Sequence, residues 1–307
     1  MNNFRFQNAP CRHCSRIKGG GKVKTIGRGS ARGGISILHA AGLGKGCSVG
    51  LDLITEVQIV DSEIVVEYDK HGILDSVEKC WREENLPIPS RLGWLVESSI
   101  PIGQGLKSSS ALACAALRAL NNCSWAGLNN SKIADLASKS QKISGCSITG
   151  SLDDAFASLE PGWKLVDPEM SASESVILEG EMNPNLSVII LLRGNRKESI
   201  SKSILSTQIP MFERSLASIM AGSPLDSISS NGLAVAAATN DHEALRISNM
   251  CIASGAMACG VSGSGPAIAL VCYEEESETL LSTISNFGFE AISTRFSSVD
   301  GISGEAF

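Results

Sequence analysis

Three consecutive serines, Ser108, Ser109 and Ser110, stand where the glycine-bearing turn Pro101-Ile102-Gly103-Gln104-Gly105-Leu106-Lys107 meets the apolar stretch that begins at Ala111. A helix that opens here needs one cap, and serine is a usual one. Three serines exceed that need. Unpaired backbone N–H groups at a helix start, small side chains that let an oxyanion approach and spare hydroxyls to touch it together make an anion site. A well-capped core helix accounts for the same residues. Each serine can cap, contact a phosphate or hold Mg²⁺ through its hydroxyl, and the spacing does not assign these roles. The GxxxxGK[ST] loop is not present, because Lys107 lies only two residues after Gly105.

A second stretch, Thr149 to Gly162, places the adjacent carboxylates Asp153 and Asp154 after a turn. Such a pair is commonly a solvated helix cap. Phe156 and Leu159, however, imply a partly buried segment, in which an unpaired carboxylate is costly. Held ionised by a lysine or a metal, a buried aspartate orients a hydroxyl and accepts its proton. Asp154 is the preferred residue, with Asp153 beside it. In a third stretch, Gly260-Val261-Ser262-Gly263-Ser264-Gly265-Pro266, the glycines let the backbone come close to another loop or a ligand, although tight turns explain such strings equally well.

The elements that must carry these residues follow from periodicity and turn chemistry. Residues 1–22 read as a flexible tail ending in glycines. A short helix is expected over Ser36–Ala41, before the loop Gly42-Leu43-Gly44-Lys45-Gly46. Strands are expected over Ser48–Leu53, Thr55–Val60, Glu63–Tyr68 and Leu92–Ser99. Helices are expected over Ile73–Asn85, Ser109–Asn121 and Ser131–Ser144. A polar break near residue 165 marks a boundary. Beyond it come a strand at Leu186–Leu192, a largely helical region over 206–256, a strand at Ala267–Cys272, a helix at Glu274–Asn286 and a strand at Glu290–Phe296. Strands mixed with helices and hairpins predict an α+β protein of two domains, 23–165 and 166–307.

Composition narrows the function classes. The chain has 307 residues, 43% hydrophobic and 19% charged, which describes a globular protein with a sizeable core. A net charge of −6 argues against a nucleic-acid binder. No apolar run reaches membrane-spanning length and the N-terminus has no secretory core, so a cytoplasmic protein without membrane partners is expected, as a monomer or homodimer. Most of the ten cysteines sit in apolar segments, as small buried hydrophobes. Cys11 and Cys14 have the spacing of half a zinc site, with no second pair to complete it.

Taken together and in this order, the three stretches resemble the GHMP kinase superfamily, which includes galactokinases, homoserine kinases and mevalonate kinases. Pro101 to Ala111 is similar to its PxxxGLGSSAA motif, with Lys107 in place of the usual glycine, and Gly260 to Ala267 is similar to its third motif. More narrowly, GLKSSSA, TGSLDDA and residues 27 to 53 resemble the archaeal-type shikimate kinase family. The resemblance runs from about residue 24 to the C-terminus. It implies an N-terminal ribosomal protein S5 domain 2-like domain and a C-terminal ferredoxin-like domain. It also implies ATP-dependent phosphorylation of the 3-hydroxyl of shikimate with Mg²⁺; another small-alcohol kinase, such as a homoserine kinase, and a catalytically silent nucleotide-binding relative are the alternatives. Carried over by motif, Gly103, Gln104, Gly105, Leu106, Lys107, Ser108, Ser109, Ser110 and Ala111 cradle the ATP phosphates, with Ser109 at the metal. Asp154 or Asp153 acts as base or hydroxyl orienter, Lys107 reaches a phosphate, and Gly263, Ser264 and Gly265 close over the substrates. A carboxylate-bearing substrate needs a cation; Arg32, Lys45, Arg193, Arg196 and Lys197 are the candidates, and Asp52 is a candidate acceptor for substrate hydroxyls.

Overall fold

The structure, a computed structural model, describes residues 24–62, 69, 71–147, 149–194 and 200–298. The expected tail, the expected strand over Glu63–Tyr68, and Arg196 and Lys197 lie outside them. In chain order the first half comprises β1 (Thr25–Leu38), α1 (Ala40–Leu43), β2 (Gly46–Val60), α2 (Ile73–Glu83), β3 (Gly93–Ser98), α3 (Ser108–Ser124), α4 (Asn130–Ile143), α5 (Leu152–Leu159), β4 (Trp163–Val166) and β5 (Val176–Gly180). The second half comprises β6 (Leu186–Leu192), α6 (Lys202–Leu205), α7 (Ile209–Met220), α8 (Pro224–Ala238), α9 (His242–Ala253), β7 (Ala258–Val261), β8 (Ile268–Tyr273), α10 (Ser277–Ser285) and β9 (Glu290–Arg295).

β1 and β2 form a long antiparallel pair, and β2 carries β4 on residues 46–49 and β3 on residues 55–60. β5 completes this sheet by pairing with β4. Glycine explains how closely α3 lies on it. Gly27 and Gly29 project to one face of β1, and a Cβ on Gly29 would sit 2.3 Å from the Ala115 carbonyl oxygen and 2.4 Å from the Ala119 nitrogen. With alanines on the facing helix, backbone meets backbone. α3 is therefore buried along most of its length, and its N-terminus is held in one place above the sheet.

The second sheet has strand order β7-β8-β6-β9, all antiparallel, with the helices between β6 and β7 and between β8 and β9. That is the ferredoxin-like arrangement. The two halves are tied at several points. Leu51 bridges to Phe296, the Ser297 N–H donates to the Gly50 carbonyl at 2.9 Å, and Ser227 of α8 donates to the Ile37 carbonyl at 2.9 Å.

Three expectations need correction. Residues 36–38 are the end of β1 and not a helix: Ile35 and Ile37 are fully buried, Ser36 pairs with Ser48 across the sheet, and helix begins only at Ala40. The first sheet runs past the break expected near residue 165, because β4 and β5 pair with each other and through β4 with β2; the polar residues after Val166 are the connection of a hairpin. Gly260 and Val261, read as the start of the glycine loop, are the end of the strand β7 (Ala258–Val261), too short to show a period.

Candidate active site

The α3 N-terminus opens into a cleft of about 570 Å³ between the halves. Its walls include Gly103, Gly105, Lys107, Ser108 and Ser109 from the α3 approach, Asp153 and Asp154 from α5, and Gly263 and Ser264 from the second glycine loop. Gly103 and Gly105 have φ of 74° and 78°, and Lys107, at the helix cap, has φ 65°. Alternating left-handed residues before a helix turn successive N–H groups to one side, which makes a concavity for an anion. The N–H groups of the first α3 turn, Ser108 to Ser110, have no carbonyl within the helix to bind.

The two glycine loops are packed backbone to backbone. A Cβ at Gly105 would lie 2.2 Å from the Ser262 carbonyl oxygen, while Ser262 Oγ donates to the Gly105 carbonyl at 2.9 Å. The Ala267 N–H donates to the Gln104 carbonyl at 3.3 Å. His39 adds a third tie: its Nδ1 accepts from the Ala41 N–H at 3.2 Å, which leaves Nε2–H to donate to Ser264 Oγ, also at 3.2 Å.

Beneath the anion cradle lies a buried cluster of charge. Lys107 Nζ is 2.7 Å from Asp154 Oδ1 and donates to Ser36 Oγ at 2.5 Å. Ser48 Oγ lies 2.7 Å from Asp153 Oδ2 and 2.8 Å from Asp154 Oδ1. Gly46 makes room for this, since a Cβ there would be 2.6 Å from Asp153 Cγ. Burial, and then the adjacent Asp154 charge, raise the Asp153 carboxyl to about 7. Burial also acts to raise Asp154, but the Lys107 ammonium outweighs it and holds Asp154 below the ordinary carboxylate value. Burial keeps the nearby Cys114 thiol protonated, raised to about 12.

Several expected site residues lie elsewhere. The Gln104 amide is turned away from the cleft, donating to the Gly194 carbonyl at 2.5 Å. Ser110 is buried and accepts from Gln141 Nε2 at 3.2 Å. The Ala111 N–H is taken by the Lys107 carbonyl at 2.9 Å, so it cannot serve a ligand. Leu106 presents backbone only: its side chain is buried and its carbonyl accepts from the Gly34 N–H at 3.1 Å. The Gly265 N–H closes its own turn on the Ser262 carbonyl. Among the candidates for substrate contact, Lys45 pairs with Asp167 at 2.7 Å and Asp52 with Arg32 at 2.7 Å, both outside the cleft. Arg193 is gripped by Asp241 at 2.7 and 2.8 Å and by Glu243 at 3.0 Å, and serves to anchor the start of α9. Each is matched by local counter-charge, which sequence spacing does not reveal.

Sequence reasoning missed Ser36, His39, Gly46 and Ser48. Ser36 and His39 lie where a helix was expected, Gly46 in the expected loop and Ser48 at the start of an expected strand; a strand reading of residues 36–38 would have set Ser36 beside Ser48.

A helix-mouth anion cradle over a lysine-stabilised aspartate pair, on an S5-like half joined to a ferredoxin-like half, defines a small-molecule phosphotransferase of the GHMP architecture. Residues 73–162 match the model of the GHMP kinases N terminal domain. The chain is 29% identical over 278 residues, 85% of its own length and 96% of the relative's, to a protein named shikimate kinase from Pyrococcus abyssi. It is 28% identical over 247 residues, 75% of its own length and 77% of the relative's, to one named homoserine kinase from Thermoplasma volcanium. The crystal structure of the Methanococcus jannaschii mevalonate kinase superposes with a TM-score of 0.71 at 15% identity, over 88% of this chain and 98% of that one. The chain thus carries a GHMP kinase N-terminal domain over residues 73–162 and is similar over most of its length to proteins named shikimate kinase.

Proposed function

We propose that this enzyme transfers the γ-phosphate of ATP to the 3-hydroxyl of shikimate. The substrate assignment draws on the full-length similarity to proteins named shikimate kinase, at 96% coverage of the Pyrococcus abyssi protein. The single structural observation that carries the chemistry is the Lys107–Asp154 pair, 2.7 Å apart, directly under the α3 mouth.

In this reading the triphosphate lies across the N–H groups of Ser108 to Ser110 and the turn at Gly103 and Gly105. Phosphoryl transfer asks a protein mainly for alignment and charge neutralisation, and a helix N-terminus with an ammonium beside it offers both. The shikimate hydroxyl attacks phosphorus; an O–P bond forms, the P–O bond to ADP breaks, and the hydroxyl proton passes to a carboxylate. The two aspartates divide the work. Asp154, held ionised, fixes Lys107 at the phosphates. Asp153, at about 7, is matched to taking a proton near neutral pH.

The donor set also fits Mg²⁺. It is all oxygen, and Ser109 Oγ, which donates to Gln141 Oε1 at 3.1 Å, keeps lone pairs for a hard cation. Among the described residues no cluster of three His, Cys, Asp or Glu could hold a metal, which suits an ion carried chiefly by phosphate oxygens and water. When bound, that ion supplies neutralisation of phosphate charge.

A coupled ADP-release assay with shikimate, homoserine and mevalonate side by side tests the assignment. Turnover on shikimate is expected. Turnover on homoserine or mevalonate alone replaces the substrate, and none on any alcohol makes the protein a silent relative.

A further inference from the structure

We propose that Ser48 is a positioning residue that joins Asp153 and Asp154 into one hydrogen-bonded unit, accepting a hydrogen bond from the proton that the reaction delivers to Asp153. The proposal rests on the phosphotransfer reading above for the direction of proton flow. Its geometric basis does not.

The argument is a count of protons. Ser48 Oγ lies 2.7 Å from one carboxylate oxygen and 2.8 Å from another, yet its hydroxyl carries a single hydrogen. With both aspartates ionised, one contact sets oxygen lone pairs against each other. One added proton resolves it. Asp154 accepts from Lys107 and is the member that stays ionised. Asp153 then holds the proton and donates to Ser48 Oγ, while Ser48 donates to Asp154. Every short contact in the cluster then has one hydrogen.

Two further features set this arrangement in place. Ser36 and Ser48 are direct cross-strand partners on β1 and β2. Ser36 accepts from Lys107 at 2.5 Å while Ser48 reaches Asp154 at 2.8 Å, so adjacent serines hold the two ends of one ion pair. Gly46, two residues from Ser48 on the same face of β2, leaves the space that the Asp153 carboxyl fills.

The other titratable groups around the pair belong to the elements packed on α5. Lys107 on α3 and His39 beside α1 favour the ionised form of Asp154, the lysine most. The thiols of Cys47 on β2 and Cys114 on α3 are raised by burial and remain neutral. Lys142 of α4 packs at Gly150, before α5 begins, and Lys164 of β4 is paired with Glu160 and Glu179. In the reaction, the alcohol O–H bond breaks as the O–P bond forms, Asp153 takes that proton, and the electron pair of the broken P–O bond leaves on ADP. Asp153 then donates to Ser48, whose own hydrogen points to Asp154.

The test reads protonation without turnover. The side-chain carboxyl carbons of Asp153 and Asp154 are followed by ¹³C NMR across pH in the wild type, Ser48→Ala, Ser48→Cys and Ser48→Thr, with the Asp153→Asn and Asp154→Asn proteins assigning the signals. Ser48 accepts from the protonated form of Asp153, so loss of the hydroxyl is expected to lower the Asp153 midpoint by about one pH unit in Ser48→Ala and Ser48→Cys, with Ser48→Thr restoring it. The acid limb of kcat should move by the same amount on whichever alcohol the wild type phosphorylates, with KM changed less than about twofold. A purely packing role would lower Tm and leave both midpoints in place. An unmoved Asp153 midpoint in Ser48→Cys, which nearly preserves volume, overturns the proposal; so does its failure to return in Ser48→Thr. Turnover on a different alcohol with the midpoint shift intact refutes only the substrate assignment.

Discussion

Replacing Lys107 by glycine and, separately, by alanine isolates two opposing contributions at one residue. Lys107 and Asp154 side chains are only 8% and 14% exposed, so this is a buried ion pair and not a surface one. Removing one partner leaves the other charge uncompensated, at about 3–5 kcal/mol. Lys107 also holds φ 65°, where a side chain costs about 1 kcal/mol and glycine costs little. Lys107→Ala should therefore lose the full amount and Lys107→Gly about 1 kcal/mol less. The pH dependence has a definite sign. In the wild type the folded-state value of Asp154 is lowered, so its stabilisation is present above the unfolded value and is lost as pH falls through the folded one. Without Lys107 burial acts unopposed, Asp154 binds its proton more tightly when folded, and the deficit relative to wild type grows as pH rises. Guanidinium unfolding of all three proteins at about pH 8 and about pH 5.5 measures this. A Lys107→Gly protein as stable as wild type at the higher pH would refute the buried-pair account. Equal stability of the two variants would refute the backbone account.

Other consequences are more direct. Asp154→Asn keeps the shape but removes the charge that fixes Lys107, so turnover should be abolished with ATP affinity changed only severalfold; wild-type-like activity would remove Asp154 from the mechanism. With Asp153 raised to about 7, its base form is depleted below that pH, so kcat for the wild type should fall on the acid side of about 7, and a flat profile down to about pH 5 would contradict this. At Gly105 a Cβ would lie 2.2 Å from the Ser262 carbonyl oxygen at φ 78°, so Gly105→Ala should part the two glycine loops and raise KM for ATP by about tenfold or more, as steady-state kinetics would show.

The anion cradle is legible in the sequence because it is local: glycines, a helix start and serines are contiguous, and backbone geometry follows from them. The adjacent aspartates are visible for the same reason, as are the three motifs on which the family resemblance rests. Gly27 and Gly29, spaced for one face of a strand, foreshadow the close seat of α3 on β1. What the sequence could not supply is which side chain answers which charge across long separations. Ser48 meets Asp153 across 105 residues, and Lys107 meets Ser36 across 71. Lys45, Asp52 and Arg193 look equally available for a substrate until Asp167, Arg32 and the Asp241–Glu243 pair are found beside them. Burial, and so the separation of the two aspartates into an ionised member and a proton acceptor, exists only once β2, α3 and α5 have packed and excluded water, because desolvation and charge pairing are properties of the assembled space and not of neighbouring letters.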